Sequence, residues 1–333
     1  MKMATSTTRG TVVLIGAVLL AVSASAAAAS SMLLATDDSG LSVNFHAASC
    51  PQLERIVRSA VQAARNVNVQ VTAGLLRIFF HDCLPEGCDA SILLEPELST
   101  GPNQSLQKNA VDLIEAIRAQ VHAACGPTVS CADIIALATR DAVALAGGPN
   151  FAMPQGRTDS LEGADDVSML PGPDSDVGSL LTLFNSRALS DPADLVALSG
   201  GHTVGKASCG FIRNNDAFSQ SLIKQCKASP SKKQSLDTIT PDVFDNKYFV
   251  ALKARHGVFV SDQGLADHPR TSAIVTTFAA NQTAFFAQFA RSFVKMGSIP
   301  GPAGEIRRNC FRPNRRVISL DMDAGSFGAV ADE

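Results

Sequence analysis

The sequence has no tryptophan and one tyrosine, Tyr248, against 17 phenylalanines. A surface that stacks bases or sugars on Trp and Tyr is therefore not expected. Positive charge is not in excess either. Lys and Arg number 28 against 31 Asp and Glu, for a net charge of -3, so there is no basic footprint for nucleic acid. No CxxC repeat is present, which removes the usual structural zinc patterns. No G-x-S-x-G elbow is present, which leaves a hydrolase built on Ser130 or Ser199 without its motif. Sustained strand alternation and internal repeats are absent. Beyond the N-terminus no segment approaches the ~20 apolar residues of a membrane span, so no membrane partner is expected.

What is present is a globular balance. Hydrophobic residues make up 46% of 333 residues and charged residues 18%, enough apolar side chains for a large core. At this length one core nears its size limit, so one domain with two lobes, or two domains, is expected. Lys2 and Arg9 precede a short apolar run, and small residues follow, Ser23 through Ala29. That is the pattern of a secretory signal peptide over residues 1–30, with cleavage somewhere in 26–35. Eight cysteines in an oxidising compartment suggest four disulfides, with connectivity open from counting alone. N-x-S/T sequons occur at Asn103 and Asn281.

The periodicity is helical. Helices are expected over Cys50 to Arg65, Thr72 to Cys83, Ala110 to Ala124 and Ser130 to Ala146. Another starts at Asp191-Pro192, with Asp as cap and Pro in the first turn, and ends at Gly200-Gly201. Pro241 to Ala254 and Ser272 to Met296 complete the set. Residues 149–175 are rich in Pro and Gly and read as a long loop. Residues 313–333 lack periodicity and read as a loose C-terminal extension.

Chemistry concentrates in two segments. In Gly74 to Cys83, GLLRIFFHDC, Arg77 and His81 lie four apart on one helix face. The arginine disfavours a second positive charge and lowers the histidine pKa, giving a neutral base beside a fixed cation. Such a pair either takes a proton and stabilises negative charge, or is simply hydrogen-bonded in a core. In DLVALSGGHTVG, a helix ends at a glycine pair and presents His202, either a structural histidine or a metal ligand that Asp262 would orient. Two oxygen-rich clusters flank these histidines: Asp82, Gly87, Asp89 and Ser91, and Thr203, Asp237, Thr240 and Asp245. They suit Ca²⁺ or, equally, caps and turns. Neither matches an EF-hand.

Together the motifs resemble a known family. GLLRIFFHDCLPEGCDASILLE is similar to the distal motif of the secretory (class III) plant haem peroxidases, and DLVALSGGHTVGKASC to their proximal motif. SCADIIALATRDAV, GGPNFAMPQGRTDS, DVFDNKYF and GVFVSDQ follow in collinear order across about residues 41–312. The resemblance implies a mainly α, two-lobed all-helical fold over residues 31–312, with haem b between distal and proximal lobes. His202 would be the iron ligand, with Asp262 accepting its other ring N–H, and Phe80 would pack by the haem. His81 would deprotonate the peroxide and Arg77 would stabilise charge in O–O cleavage. Asn103 would hydrogen-bond His81, with Glu97 behind it, which makes Asn281 the better glycosylation candidate. Pro171 would mark the haem edge where aromatic donors dock.

The family's distal Ca²⁺ would use Asp82, Asp89 and Ser91 with carbonyls of Pro85 and Gly87. The proximal one would use Thr203, Asp237, Thr240 and Asp245 with the Val243 carbonyl. The family's disulfides carry over as Cys50–Cys125, Cys83–Cys88, Cys131–Cys310 and Cys209–Cys226. The implied function is a secreted monomeric enzyme of the apoplast or the vacuole. It would reduce H2O2 and oxidise small phenols in one-electron steps. The competing reading is a secreted, non-catalytic relative acting as a binding or structural protein. Such a module needs none of Arg77, His81, Asn103, His202 and Asp262. Four departures from the family pattern stand out: Phe79 for a common histidine, Leu84 for phenylalanine, Phe151 for tryptophan, and Thr158 for a basic residue.

Overall fold

The structure, a computed structural model, describes residues 40–164, 166–229 and 231–314. The expected signal segment and the tail beyond residue 314 lie outside the described residues. Eleven α-helices account for nearly all regular structure among the described residues. They are α1 (Leu53–Val67), α2 (Val71–Cys83), α3 (Lys108–Cys125), α4 (Cys131–Leu145), α5 (Val177–Ser186), α6 (Pro192–Ser199), α7 (Ala217–Ala228), α8 (Lys247–Lys253), α9 (Val260–Asp267), α10 (Ser272–Ala280) and α11 (Gln282–Gly297). The only sheet among them is a two-residue pair, Lys206–Ala207 antiparallel to Gln234–Ser235, with Lys206 opposite Ser235. No described helix is long and apolar enough to cross a membrane.

The helices α1 to α4 pack on one another, and α6, α8, α10 and α11 form a second group joined by α5 and α9. The two groups share buried apolar side chains. One apolar core runs from Leu53, Leu75 and Ile134 through to Phe249, Phe285 and Phe293. A smaller cluster gathers Ala207, Ile212, Leu222, Cys226, Leu236 and Val258.

Local sequence explains most boundaries. Ser130 accepts from Asp133 N at 3.0 Å and caps α4. Asp191 accepts from Ala193 N at 2.8 Å, with Pro192 in the first turn of α6. One expected boundary holds and two expectations need correction. Helix α6 ends at the glycine pair, with Gly200 as its C-cap, and the chain tightens into a 3-10 turn, Gly200–Thr203. A Cβ on Gly200 would collide with Phe285 and Phe249, so this glycine also serves close packing. The stretch Pro241 to Ala254 is helical only from Lys247. Upstream, Asp237 and Asp245 side chains accept the backbone N–H groups of Ile239, Thr240 and Lys247 in place of a helical ladder. Ser272 to Met296 is two helices, since Asn281 turns extended (φ -141°) and caps α11 by accepting from Ala284 N at 3.0 Å. Sequence periodicity also missed α5, α7 and α9, which are short and begin at local caps such as the Asp216–Ser219 box of α7.

All four disulfides form, with the pairing implied by the family resemblance. Two of the departures from the family pattern meet in space. Phe79 stacks on Phe293 (4.2 Å between centroids, 13°), and Phe151 meets the same ring edge-on at 5.4 Å. Together they make one hydrophobic cluster of α2, α11 and the long loop. Leu84 is buried, and Thr158 points outward between the buried Arg157 and Asp159.

The loop over 149–175 is pinned by a buried charge network. Asp133 accepts from His46 Nε2 at 2.9 Å, Gly156 N at 2.7 Å and Arg157 Nη1 at 2.8 Å. Arg157 in turn donates through Nη2 to the Gly297 carbonyl at 2.6 Å, tying α4, the loop and α11 together. Replacing Asp133 by alanine strands the arginine without its counter-charge. Denaturant unfolding of D133A should show a loss of about 3–5 kcal/mol. A loss under about 1 kcal/mol would mean the network is solvent-screened despite its burial.

Candidate active site

Helix α2 carries Arg77 and His81 one turn apart, and the side chains meet as the spacing predicts. Arg77 Nε donates to His81 Nε2 at 3.3 Å. The guanidinium is anchored by Nη1 on the Ser105 carbonyl at 3.1 Å and by Nη2 on the Pro102 carbonyl at 3.0 Å. Asn103, buried in the 3-10 turn Gly101–Ser105, lies on the other side of the imidazole. Its Nδ2 donates to the Glu97 carbonyl at 3.0 Å, so its Oδ1 must be the acceptor facing His81 Nδ1 at 2.7 Å. This fixes the tautomer, with the proton on Nδ1 and a lone pair on Nε2. Burial, and secondarily Arg77, pushes the His81 pKa down to about 4, while the bond to Asn103 opposes the shift. The result is an imidazole that stays neutral well into the acid range.

Glu97 does stand behind Asn103, but through its backbone. Its carboxyl instead accepts from Ala164 N at 2.7 Å, and burial pushes its pKa up to about 7. Phe80, adjacent to His81 on α2, is half-buried and lies 6.5 Å from the Phe184 ring of α5. Pro171 is half-buried in the segment that leads into α5.

The second histidine sits in the 3-10 turn that extends α6, and α2 packs against that turn. His202 Nδ1 lies 2.7 Å from Asp262 Oδ1, in the first turn of α9. The carboxylate is buried, yet the His202 side chain is 40% exposed. One ring nitrogen is thus committed to Asp262, while the ring projects from the core with Nε2 open to a ligand. Sequence reasoning missed a third member. The hydroxyl of Tyr248, on α8, donates to the same Asp262 Oδ1 at 2.8 Å. Burial and the neighbouring carboxylate push the phenol pKa well up, so it remains a donor. That this is the chain's one tyrosine, inside the quoted DVFDNKYF motif, was the available signal.

The two oxygen clusters assemble. Directly after His81, both carboxylate oxygens of Asp82 are buried with no hydrogen-bond partner. Asp89 lies close enough to raise the Asp82 pKa further, beyond the effect of burial. Asp89 Oδ1 accepts from Ser91 N at 3.0 Å. Gly87, with φ +117°, brings the connecting turn against Pro300, where a Cβ would strike backbone. Nothing in the sequence singled out Arg307, which is fully buried nearby. Its Nη2 donates to the Ala90 carbonyl at 2.6 Å; Nε and Nη1 make no hydrogen bond, and Nε faces Asp159 Oδ2 at 3.8 Å. In the second cluster Thr203 Oγ1 lies 3.0 Å from Asp237 Oδ2 and 3.4 Å from both the Val243 carbonyl and Asp245 Oδ1. Thr240 Oγ1 lies 2.9 Å from Asp245 Oδ2. Among the described residues no three His, Cys, Asp or Glu side chains gather as a metal-binding group. Each cluster contributes two or fewer carboxylates at close range, and its other oxygens are hydroxyls and carbonyls, a mixture typical of Ca²⁺ rather than of zinc.

Fold and site define an all-helical enzyme with a neutral, arginine-flanked base on one segment and a carboxylate-bound histidine on the segment packed against it. The family model described as peroxidase matches residues 57–281, more than half of the chain. The chain is 43% identical over 319 residues to cationic peroxidase SPC4 of Sorghum bicolor, covering 88% of each. It is 43% identical over 295 residues to peroxidase 57 of Arabidopsis thaliana, covering 82% of this chain and 93% of the relative. Against peroxidase C2 of Armoracia rusticana it is 38% identical over 320 residues, covering 87% and 92%. The chain belongs to the peroxidase family of plants, and it is an enzyme that acts on hydrogen peroxide.

Proposed function

We propose that this peroxidase is secreted, holds haem b on His202 and two Ca²⁺ in its oxygen clusters, and oxidises small phenols. The observation that carries the reading is the difference in partner: both histidines donate Nδ1–H, His81 to a neutral amide and His202 to a buried carboxylate. His81 stays neutral, and its Nε2 lone pair is met only by the long bond from Arg77 Nε at 3.3 Å, which suits a base. His202 donates to a buried carboxylate, as an electron-rich metal ligand should. Bound haem would supply the redox chemistry, two electrons to the peroxide and two single-electron withdrawals from donors. The balance is H2O2 plus two phenols to two waters and two phenoxyl radicals.

The chain's own residues would handle the protons and charge. His81 Nε2 takes the proton from the proximal oxygen of the peroxide and delivers it to the leaving oxygen. Arg77 releases its bond to His81 and stabilises the negative charge that develops as the O–O bond breaks. Asn103 holds Nδ1–H and keeps the ring in one tautomer. The orphaned oxygens of Asp82 support the distal Ca²⁺ through Asp82, Pro85, Gly87, Asp89 and Ser91. The convergence on Thr203 supports the proximal Ca²⁺ through Thr203, Asp237, Thr240, Val243 and Asp245.

Small donors meeting the haem edge near Pro171 fit the aromatic composition. The lone tyrosine is 1% exposed and there is no tryptophan, so no such side chain is placed on the surface to relay electrons to a bulky substrate. Four disulfides accord with secretion, to the apoplast or the vacuole. Exposed Asn281 is the proposed glycosylation site, since Asn103 is buried.

The test is an absorption spectrum of the purified protein before and after one equivalent of H2O2. A Soret band that shifts on peroxide and returns on addition of a phenol is expected. A Soret band indifferent to peroxide would sink the assignment of His81 and Arg77. Absence of the band from protein carrying its calcium and disulfides would sink the haem assignment itself.

A further inference from the structure

The carboxylate that holds His202 is shared. Asp262 Oδ1 receives two donors, His202 Nδ1–H at 2.7 Å and the Tyr248 hydroxyl at 2.8 Å. Its other oxygen accepts from Phe259 N at 3.0 Å. The phenol is not there by accident of packing on the surface. Tyr248 is 1% exposed, and its ring stands edge-on to the imidazole at 6.1 Å between centroids. A carboxylate oxygen that accepts a second strong donor is a weaker acceptor for the first, because its charge is already partly neutralised. The histidine proton then stays nearer Nδ1, and the ring carries less anionic character.

We propose that Tyr248 is a positioning residue that moderates how strongly His202 donates electrons to its metal, by occupying the same Asp262 oxygen that binds the His202 N–H. This rests on the reading of His202 as the haem ligand. A merely structural tyrosine would stabilise the α8–α9 packing and leave the ligand unchanged. The two roles separate in the sign of a redox response. Without the phenol hydroxyl, Asp262 pulls harder on the imidazole proton, and the more anionic ring favours ferric iron. With a more acidic phenol in the same place the pull weakens, and ferrous iron is favoured.

The chain allows both changes cleanly, because a single tyrosine means that global fluorotyrosine incorporation alters Tyr248 alone. The experiment measures the ferric/ferrous potential and the iron–histidine Raman stretch in wild-type holoenzyme, in Y248F and in the fluorotyrosine protein. For Y248F the equilibrium should move about threefold to tenfold toward ferric, up to about 59 mV negative, with the stretch rising in frequency. The fluorotyrosine protein should move both readouts the opposite way, and it keeps the fold testable should Y248F lose haem. Potentials and stretch unmoved in the fluorotyrosine protein and in any folded Y248F, while H202A abolishes the stretch, would overturn the proposal and leave His202 as ligand. A stretch that survives in H202A would overturn the ligand assignment, and the proposal with it.

Discussion

Replacing His81 by leucine is expected to slow the reaction with H2O2 by about 10²–10⁴-fold, the usual contribution of a placed proton carrier. Stopped-flow recording of the Soret change at limiting peroxide reads this step without the donor. The His202 side of the site should be unaffected, so the resting haem spectrum should still report one histidine ligand. The wild-type pH profile carries a signed test of the same assignment. The His81 pKa is lowered to about 4, and the neutral form is the active one. The rate should be flat above about pH 5 and fall about tenfold per unit below about pH 4. Arg77 lowers the His81 pKa and Asn103 raises it. R77L should therefore shift the acid limb to higher pH, and N103V should shift it to lower pH. Each should also lower the plateau. Limbs that move together, or a limb near the unperturbed histidine value in the wild type, would show that His81 is not the group being titrated.

Calcium removal should have the second largest effect. Asp82 holds two buried carboxylate oxygens with no partner, beside Asp89. Burying a carboxylate without hydrogen bonds is costly and raises its pKa even with Arg307 close by, and a bound dication offsets that cost. A ligand held at about 1,000 times its Kd adds about 4 kcal/mol. Chelation should lower the thermal midpoint by about 5–15 °C for a domain of this size. The order of stabilities should also cross. In millimolar calcium the wild type should unfold well above D82N. In chelator D82N should match or exceed the wild type, because its amide carries no charge to bury. Identical midpoints with and without calcium would remove the distal site. A D82N protein that stays calcium-sensitive would point to the Thr203 cluster as the stabilising one.

The parts of the protein legible in the sequence are those set within one turn or one short loop. Arg77 and His81 meet because an α-helix places residues four apart on one face. The start of α6 follows from Asp191-Pro192, since an orphan N–H needs an acceptor and proline needs none. Where periodicity misled, a side chain outcompeted the helical ladder locally. Asp237 and Asp245 hold the backbone before Lys247, and Asn281 splits what its apolar neighbours present as one helix. The long collinear motifs carried the family, which no single histidine could have done.

By itself the sequence determined the helical class, the family, and the residue types from which the site is made. Only the tertiary structure decided how those groups share partners. Asp262 serves His202 and Tyr248 with one oxygen, across three separate helical segments. Arg307 is buried beside Asp82 and Asp89 although more than two hundred residues separate it from them along the chain. Phe79 and Phe151 pack as one cluster, joined through Phe293. The reason is the same in each case. A local pattern states what one segment prefers, whereas burial, shared acceptors and charge compensation depend on which distant segment fills the space beside it.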